Sequence, residues 1–173
     1  MRHDVDMTTR EPHSTVRPAQ LDDVPRILEL VHDLAAYEKA ADQVEASEAD
    51  FVRALFPDDG HPTTFAHVAE VDGAVVGIAV WFLTFSTWTG TNGIWLEDLF
   101  VSPEHRGTGL GRDLLAALAG ECVTRGLPRL EWWVLDWNAP SIAFYESLGA
   151  VAQDEWTTYR MTGQALASLG GQD

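Results

Sequence analysis

The stretch "VSPEHRGTGLGRDLLAAL", residues 101–118, concentrates side chains whose type and spacing suit anion chemistry. An apolar strand ends at Val101, the glycines Gly107, Gly109 and Gly111 follow between Arg106 and Arg112, and an amphipathic helix begins. A plain turn needs one glycine at most; a run of them, each entropically costly, suits a backbone that a ligand must approach closely. A helix start leaves four unpaired N–H groups and about half a positive charge, which favours a phosphate. Arg106 can add a charge-assisted contact and Thr108 a hydroxyl, while the amides between Arg106 and Arg112, Leu110 included, point at one oxyanion cluster. A nucleoside-triphosphate loop would need Gly-Lys-Ser/Thr, which is missing here, and the spacing fits G-x-G-x-x-G poorly. A flexible, glycine-rich turn without a ligand is the simpler alternative.

The elements that must position this turn are legible from periodicity. "TVRPA" reads as a short first strand. Val24, Ile27, Leu28, Val31, Leu34 and Ala35 share one helical face, with Asp22 or Asp23 as cap and Pro25 in the first turn. Ser47 and Asp50 resemble a capping box before "FVRAL". "FPDDGHPTT" reads as loop. Two apolar strands, "TFAHVAEV" and "AVVGIAVWFLTF", flank Asp72-Gly73, a preferred two-residue hairpin turn. "GIWLEDLFV" forms the next strand. The helix after the glycine turn places Leu110, Leu114, Leu118 and Cys122 at four-residue spacing and closes at Gly126 and Pro128. "RLEWWVLDW" reads as a strand, "APSIAFYESLG" as a short helix and "WTTYRMT" as a last strand. The order is β-α-α-β-β-β-α-β-α-β. Residues 1–13 read as a flexible tail, 14–163 as one domain and 164–173 as a C-terminal tail.

Composition narrows the function classes. A chain of 173 residues, 46% apolar, favours one domain with a proper core. No apolar run is long enough to span a bilayer, and the polar start "MRHDVDMTTREPHS" has no signal-peptide core, so a cytoplasmic protein is expected. Acids outnumber bases 27 to 11, a net charge of −16, which disfavours nucleic acid and anionic membrane as partners. Solubility accounts for such acidity in general; attraction of a cationic substrate is the sharper reading. The histidines are scattered without a ligand-spaced pair, so no metal site is expected, and no G-x-S-x-G turn marks a hydrolase.

"RGTGLG" after "LEDLFV", followed by "WNAPSIAFYESLGA", resembles the GNAT superfamily of N-acetyltransferases. The turn matches that superfamily's R/Q-x-x-G-x-G/A pattern. Asn138, Ser141, Phe144, Tyr145 and Gly149 match its N-x-x-[AS]-x-x-[FL]-Y-x-x-x-G pattern. "LAAYEKAADQV", "TWTG" and "EWWVLDWNAPSIAFY" resemble the diamine (spermidine/spermine, thialysine) acetyltransferase branch. The resemblance implies a mixed α/β fold, a twisted, mostly antiparallel sheet splayed at its centre with helices on both faces. It implies acetyl-CoA as co-substrate and direct transfer to an amine in a ternary complex. The cofactor's diphosphate then lies on the glycine turn. Main-chain contacts come from Leu99, Phe100 and Val101 and from the strand around Trp133, with Asn138 and Ser141 on the pantetheine or pyrophosphate arm.

Tyr145 is the implied general acid, its phenol being close in pKa to an alkyl thiol. An ordinary core tyrosine is the competing assignment. Glu97 is the implied substrate carboxylate and base; Asp98 follows it, and strand alternation lets at most one face the amine unless the strand bulges. Tyr37 and Glu38 match an acidic amine-binding pair, and Trp88 an aromatic wall for an alkylammonium. Polyamine enzymes of the branch carry an acid where this chain has Ser86, and Asp154 matches a late acid only across a gap. A short diamine, thialysine or another small amine therefore fits as well as a long polyamine. A homodimer is implied by resemblance alone. A non-catalytic acyl-CoA sensor and a peptide or protein N-acetyltransferase are the competing functions.

Overall fold

The computed structural model describes residues 13–171, so the tail expected over 1–13 falls, His13 apart, outside the described residues. The chain divides into two compact units, one up to Trp133 and one from Val134 onward. The first holds β1 (Ser14–Pro18), α1 (Val24–Tyr37), α2 (Glu48–Leu55), β2 (Thr64–Val71), β3 (Ala74–Ser86), β4 (Thr91–Val101), α3 (Leu110–Arg125) and β5 (Leu130–Glu131). Its sheet runs in chain order, antiparallel throughout except for the parallel pair β4–β5.

Local chemistry explains most of these boundaries. Asp50 accepts from the Ser47 amide at 2.8 Å and its hydroxyl at 2.6 Å, the expected box that starts α2. Asp72 and Gly73 both take positive φ, 49° and 86°, as a primed hairpin turn requires. Arg17 on β1 grips Asp23 through two hydrogen bonds (2.7 and 3.0 Å) and Glu70 on β2 through Nε at 3.0 Å, fixing the entry to α1. That guanidinium holds the Asp23 carboxyl below its ordinary range.

Each face of the sheet has its own helices. On one, Val24, Ile27 and Leu30 of α1 and Leu55 of α2 bury against Ala66, Val68, Ile78, Val80 and Phe100. The other is covered by α3, whose Leu110, Leu114, Leu118 and Cys122 are all buried as their spacing requires. Gly126, at φ 65°, closes α3 with a Schellman pair, Leu127 N–H to Cys122 O (2.8 Å) and Gly126 N–H to Val123 O (3.3 Å).

Two strands differ from expectation. "RLEWWVLDW" yields only Leu130 and Glu131, paired with Ile94 and Trp95. The ladder with β5 ends at Trp95, and two residues further on β4 bulges at Glu97, where added twist turns the strand away. "WTTYRMT" forms no strand: residues 151–162 are irregular, with Trp156 and Tyr159 74% and 92% exposed. Its alternation reads as β, but a strand also needs a neighbouring edge, and among the described residues none pairs with it. The second unit instead contains α4 (Ala139–Ser147) and α5 (Gly163–Leu169), the latter, from its second residue on, within the stretch expected as a C-terminal tail.

Candidate active site

The strand β4 carries the acids, and its bulge decides where they point. Leu96 lies opposite Trp81 and Asp98 opposite Val80, so Glu97 is the extra residue. Asp98 thereby shares the face of Val80 and Phe100, the one that α1 covers. Trp95 lies opposite Phe82, two residues from Val80 on the same face, and its Nε1 donates to Glu97 Oε2 at 2.9 Å. Glu97 thus turns to the side of Asp98 despite being its neighbour in the strand.

Burial pushes the Asp98 carboxyl up to about 6, with the nearby charges of Glu97 and Glu38 acting in the same direction. Burial also raises the Glu38 carboxyl above its ordinary value. Glu38 follows the last residue of α1. The helix closes with Ala40 N–H on Ala35 O (2.8 Å) and Lys39 N–H on Ala36 O (3.1 Å), Lys39 standing at φ 62° where a glycine is usual. Three carboxylates from two elements therefore lie within electrostatic reach, a setting for an ammonium group.

The turn after β4 is built to expose backbone. Gly107 and Gly109 take φ of 76° and 96°, and a Cβ on either would meet nothing within 4 Å. Gly109 is the N-cap of α3 and supplies no side-chain acceptor to the helix's first amides. Gly111 is an ordinary helical residue within α3, as is Arg112. Thr108 donates its hydroxyl proton to His105 O at 2.7 Å, which leaves only its oxygen for other partners. Arg106 turns back, its Nε donating to Val101 O at 2.9 Å. The arrangement fits a diphosphate: open amides, no side-chain cap and flanking cations. Beside it, the outer edge of β4 beyond Trp95 has no ladder partner among the described residues, which leaves alternate main-chain groups between Leu96 and Val101 available, the Val101 carbonyl already accepting from Arg106.

In the second unit, Asn138 is the buried N-cap of α4 and its side chain accepts from Ser141 N at 3.4 Å. Gly149, at φ 89°, closes the helix: Ala150 N–H reaches Tyr145 O (3.2 Å) and Gly149 N–H reaches Glu146 O (2.9 Å). Both ends of the short helix that carries the half-buried Tyr145 are thus specified by motif residues. Asp154 lies exposed in the irregular segment that follows.

Trp88 is not brought to the acids. It is 90% exposed at the tip of the β3–β4 hairpin, where Ser86 Oγ accepts the Thr89 amide at 3.3 Å. The strand from Thr91 to Asp98 alone covers roughly 20 Å. The aromatic side chain that does lie beside an acid is Trp95, which sequence reasoning missed. Its edge-on contact with Trp133 (centroids 4.8 Å) builds a wall next to Glu97. The signal was its two-residue spacing before Glu97, obscured because bulges leave no mark in an alternating pattern.

A five-stranded mixed sheet clasped by helices, with an uncapped glycine turn leaving its fourth strand, defines a class that comparison names. Residues 27–150 match the acetyltransferase (GNAT) family, and the chain belongs to it as an N-acetyltransferase. Among relatives, it is 38% identical to a thialysine N-epsilon-acetyltransferase of Bos taurus over 170 residues, 91% of this chain and 97% of that one. It is 29% identical to an L-ornithine N5-acetyltransferase of Arabidopsis thaliana, covering 90% and 87% of the two chains. An integron cassette protein from the mobile metagenome of V. cholerae superposes with TM-score 0.74 at 26% identity, covering 91% and 97%.

Proposed function

We propose that the protein transfers the acetyl group of acetyl-CoA to a primary amine of a small cationic substrate, a diamine, polyamine or thialysine-like compound, within a ternary complex. The observation that supports this reading is the β4 bulge, which turns Glu97 to the side of Asp98, where the charge of Glu38, the residue after α1, also acts. Similarity to enzymes named for thialysine and L-ornithine supports an amine of that size.

Bound acetyl-CoA supplies an activated thioester carbonyl. The amides from Gly107 to Arg112 hold its diphosphate, and the open edge of β4 from Leu99 to Val101, with Trp133, receives its pantetheine arm. Asn138 and Ser141 add contacts to that arm. Glu38 and Glu97 attract the ammonium, and Trp95 offers it a ring face. Asp98, with Glu97, takes the proton that the amine must lose before it attacks. An alkyl ammonium titrates near 10.4, so raising the acceptor from 3.8 to about 6 removes about 3 kcal/mol of that uphill transfer. Tyr145 returns a proton to the departing sulfur.

We propose further that the protein works as a cytoplasmic homodimer. Val151, Trp156, Tyr159 and Met161 present exposed apolar side chains suited to burial in a second subunit, and no described helix is long and apolar enough to cross a membrane.

The test is thiol release from acetyl-CoA over a panel of diamines, polyamines, thialysine, ornithine and aminoglycosides. Release with the short diamines or thialysine is expected; release with none of the cationic amines removes the small-amine reading. Tyr145→Phe should lower kcat about 100-fold with unchanged folding, and full activity in that variant rules out its role.

A further inference from the structure

Arg106 opens the glycine turn, yet every contact it makes runs backward. Its Nε donates to Val101 O, while its guanidinium carbon lies 4.9 Å from the Tyr37 ring centroid and 5.2 Å from that of Phe100. Both distances are within cation–π range. Its terminal nitrogens make no ion pair among the described residues. The cation is therefore bracketed by β4 below and the end of α1 above. Tyr37 is the last residue of α1, and Glu38 follows it directly. From there the chain leaves the helix through Lys39 in a left-handed conformation, and the contact of Arg106 with Tyr37 adds to the backbone bonds that close α1 around Glu38.

We infer that Arg106 is a positioning residue for the amine site as well as part of the cofactor turn. Clamped between Phe100 and Tyr37, it fixes Glu38 over the face of β4 that carries Asp98. An anion held at the turn, drawn to the remaining guanidinium nitrogens, orders that clamp and so tightens amine binding; by linkage the amine tightens the cofactor by the same factor. The inference rests on the reading of the turn as the acetyl-CoA site and of Glu38 as an amine contact. Lysine cannot reproduce the clamp, because it lacks the planar face and the Nε–H that meet the rings and Val101 O.

Amide hydrogen exchange of the ligand-free chain tests the clamp without any activity. In Arg106→Lys, the amides of Glu38, Lys39 and Ala40 should exchange about fivefold faster than in the parent, with those of α3 beyond its first turn unchanged. Unchanged protection at 38–40 overturns the inference whether or not the chain binds acetyl-CoA. Steady-state kinetics and calorimetry then test the function. Arg106→Lys should raise the amine KM by about fivefold, more than it lowers kcat and more than it raises the acetyl-CoA Kd. Tyr37→Leu should raise the amine KM similarly, and the double variant should add nothing further, whereas Tyr37→Phe keeps the coupling. A loss confined to acetyl-CoA affinity, or additive effects of the two substitutions, identifies Arg106 as a phosphate ligand alone. Absence of acetyl-CoA binding by the parent chain refutes the proposed function instead, and is read separately from the exchange result.

Discussion

Asp98 illustrates how one residue exchanges stability for chemistry. Its folded pKa, about 6, lies above the ordinary 3.8, so the native state favours the protonated form. That stabilisation is complete below about pH 4 and is lost as the pH rises through 6. At pH 8 the ionised group opposes folding, by an amount on the order of 2–3 kcal/mol. Asp98→Asn should therefore raise the denaturation midpoint at pH 8, with the gain vanishing near pH 4, while kcat falls at least tenfold. Chemical denaturation at the two pH values together with initial rates measures both effects. A variant that loses stability at pH 8 contradicts the buried, carboxylate-crowded setting. In the wild type, the acid limb of kcat/KM should fall near pH 6.

At the scale of elements, helix ends decide what the site can do. Gly109 and Gly126 both stand in the left-handed region, at the start and the close of α3. Replacing either with alanine should cost about 1–2 kcal/mol, since open space surrounds both and backbone strain is the whole penalty. Only Gly109→Ala places a methyl at the exposed amides, so it alone should weaken acetyl-CoA binding in calorimetry. Equal affinities for the two variants would separate the turn from the cofactor. At the end of α1, Lys39 occupies the position that glycine fills in α3 and α4.

For the whole molecule, charge dominates. At −16, self-repulsion opposes the compact state and long-range attraction recruits cations. Raising ionic strength from about 0.02 to 0.3 M shortens the Debye length severalfold. The melting temperature should rise with salt while the KM for a dicationic amine rises as well, with kcat much less affected. Opposite salt responses of stability and substrate affinity are the mark of a uniform acidic field. A KM that ignores salt would place amine recognition in short-range contacts only.

Residue types and spacing determined much of this on their own. The helix faces, the Asp72-Gly73 turn, the Ser47–Asp50 box and the glycines that close α3 and α4 are local features, and local sterics and hydrogen bonding fix them wherever the chain lies. The glycine turn was legible for the same reason: Gly107 and Gly109 must adopt φ values that other residues resist. Tertiary structure alone decided the rest. An alternating strand carries no sign of where it bulges, so the turning of Glu97 toward Asp98 and Trp95 depends on registry with β3. Whether "WTTYRMT" pairs depends on an edge supplied from elsewhere. The backward reach of Arg106 depends on rings that sequence places six and sixty-nine residues away, and only packing makes them neighbours.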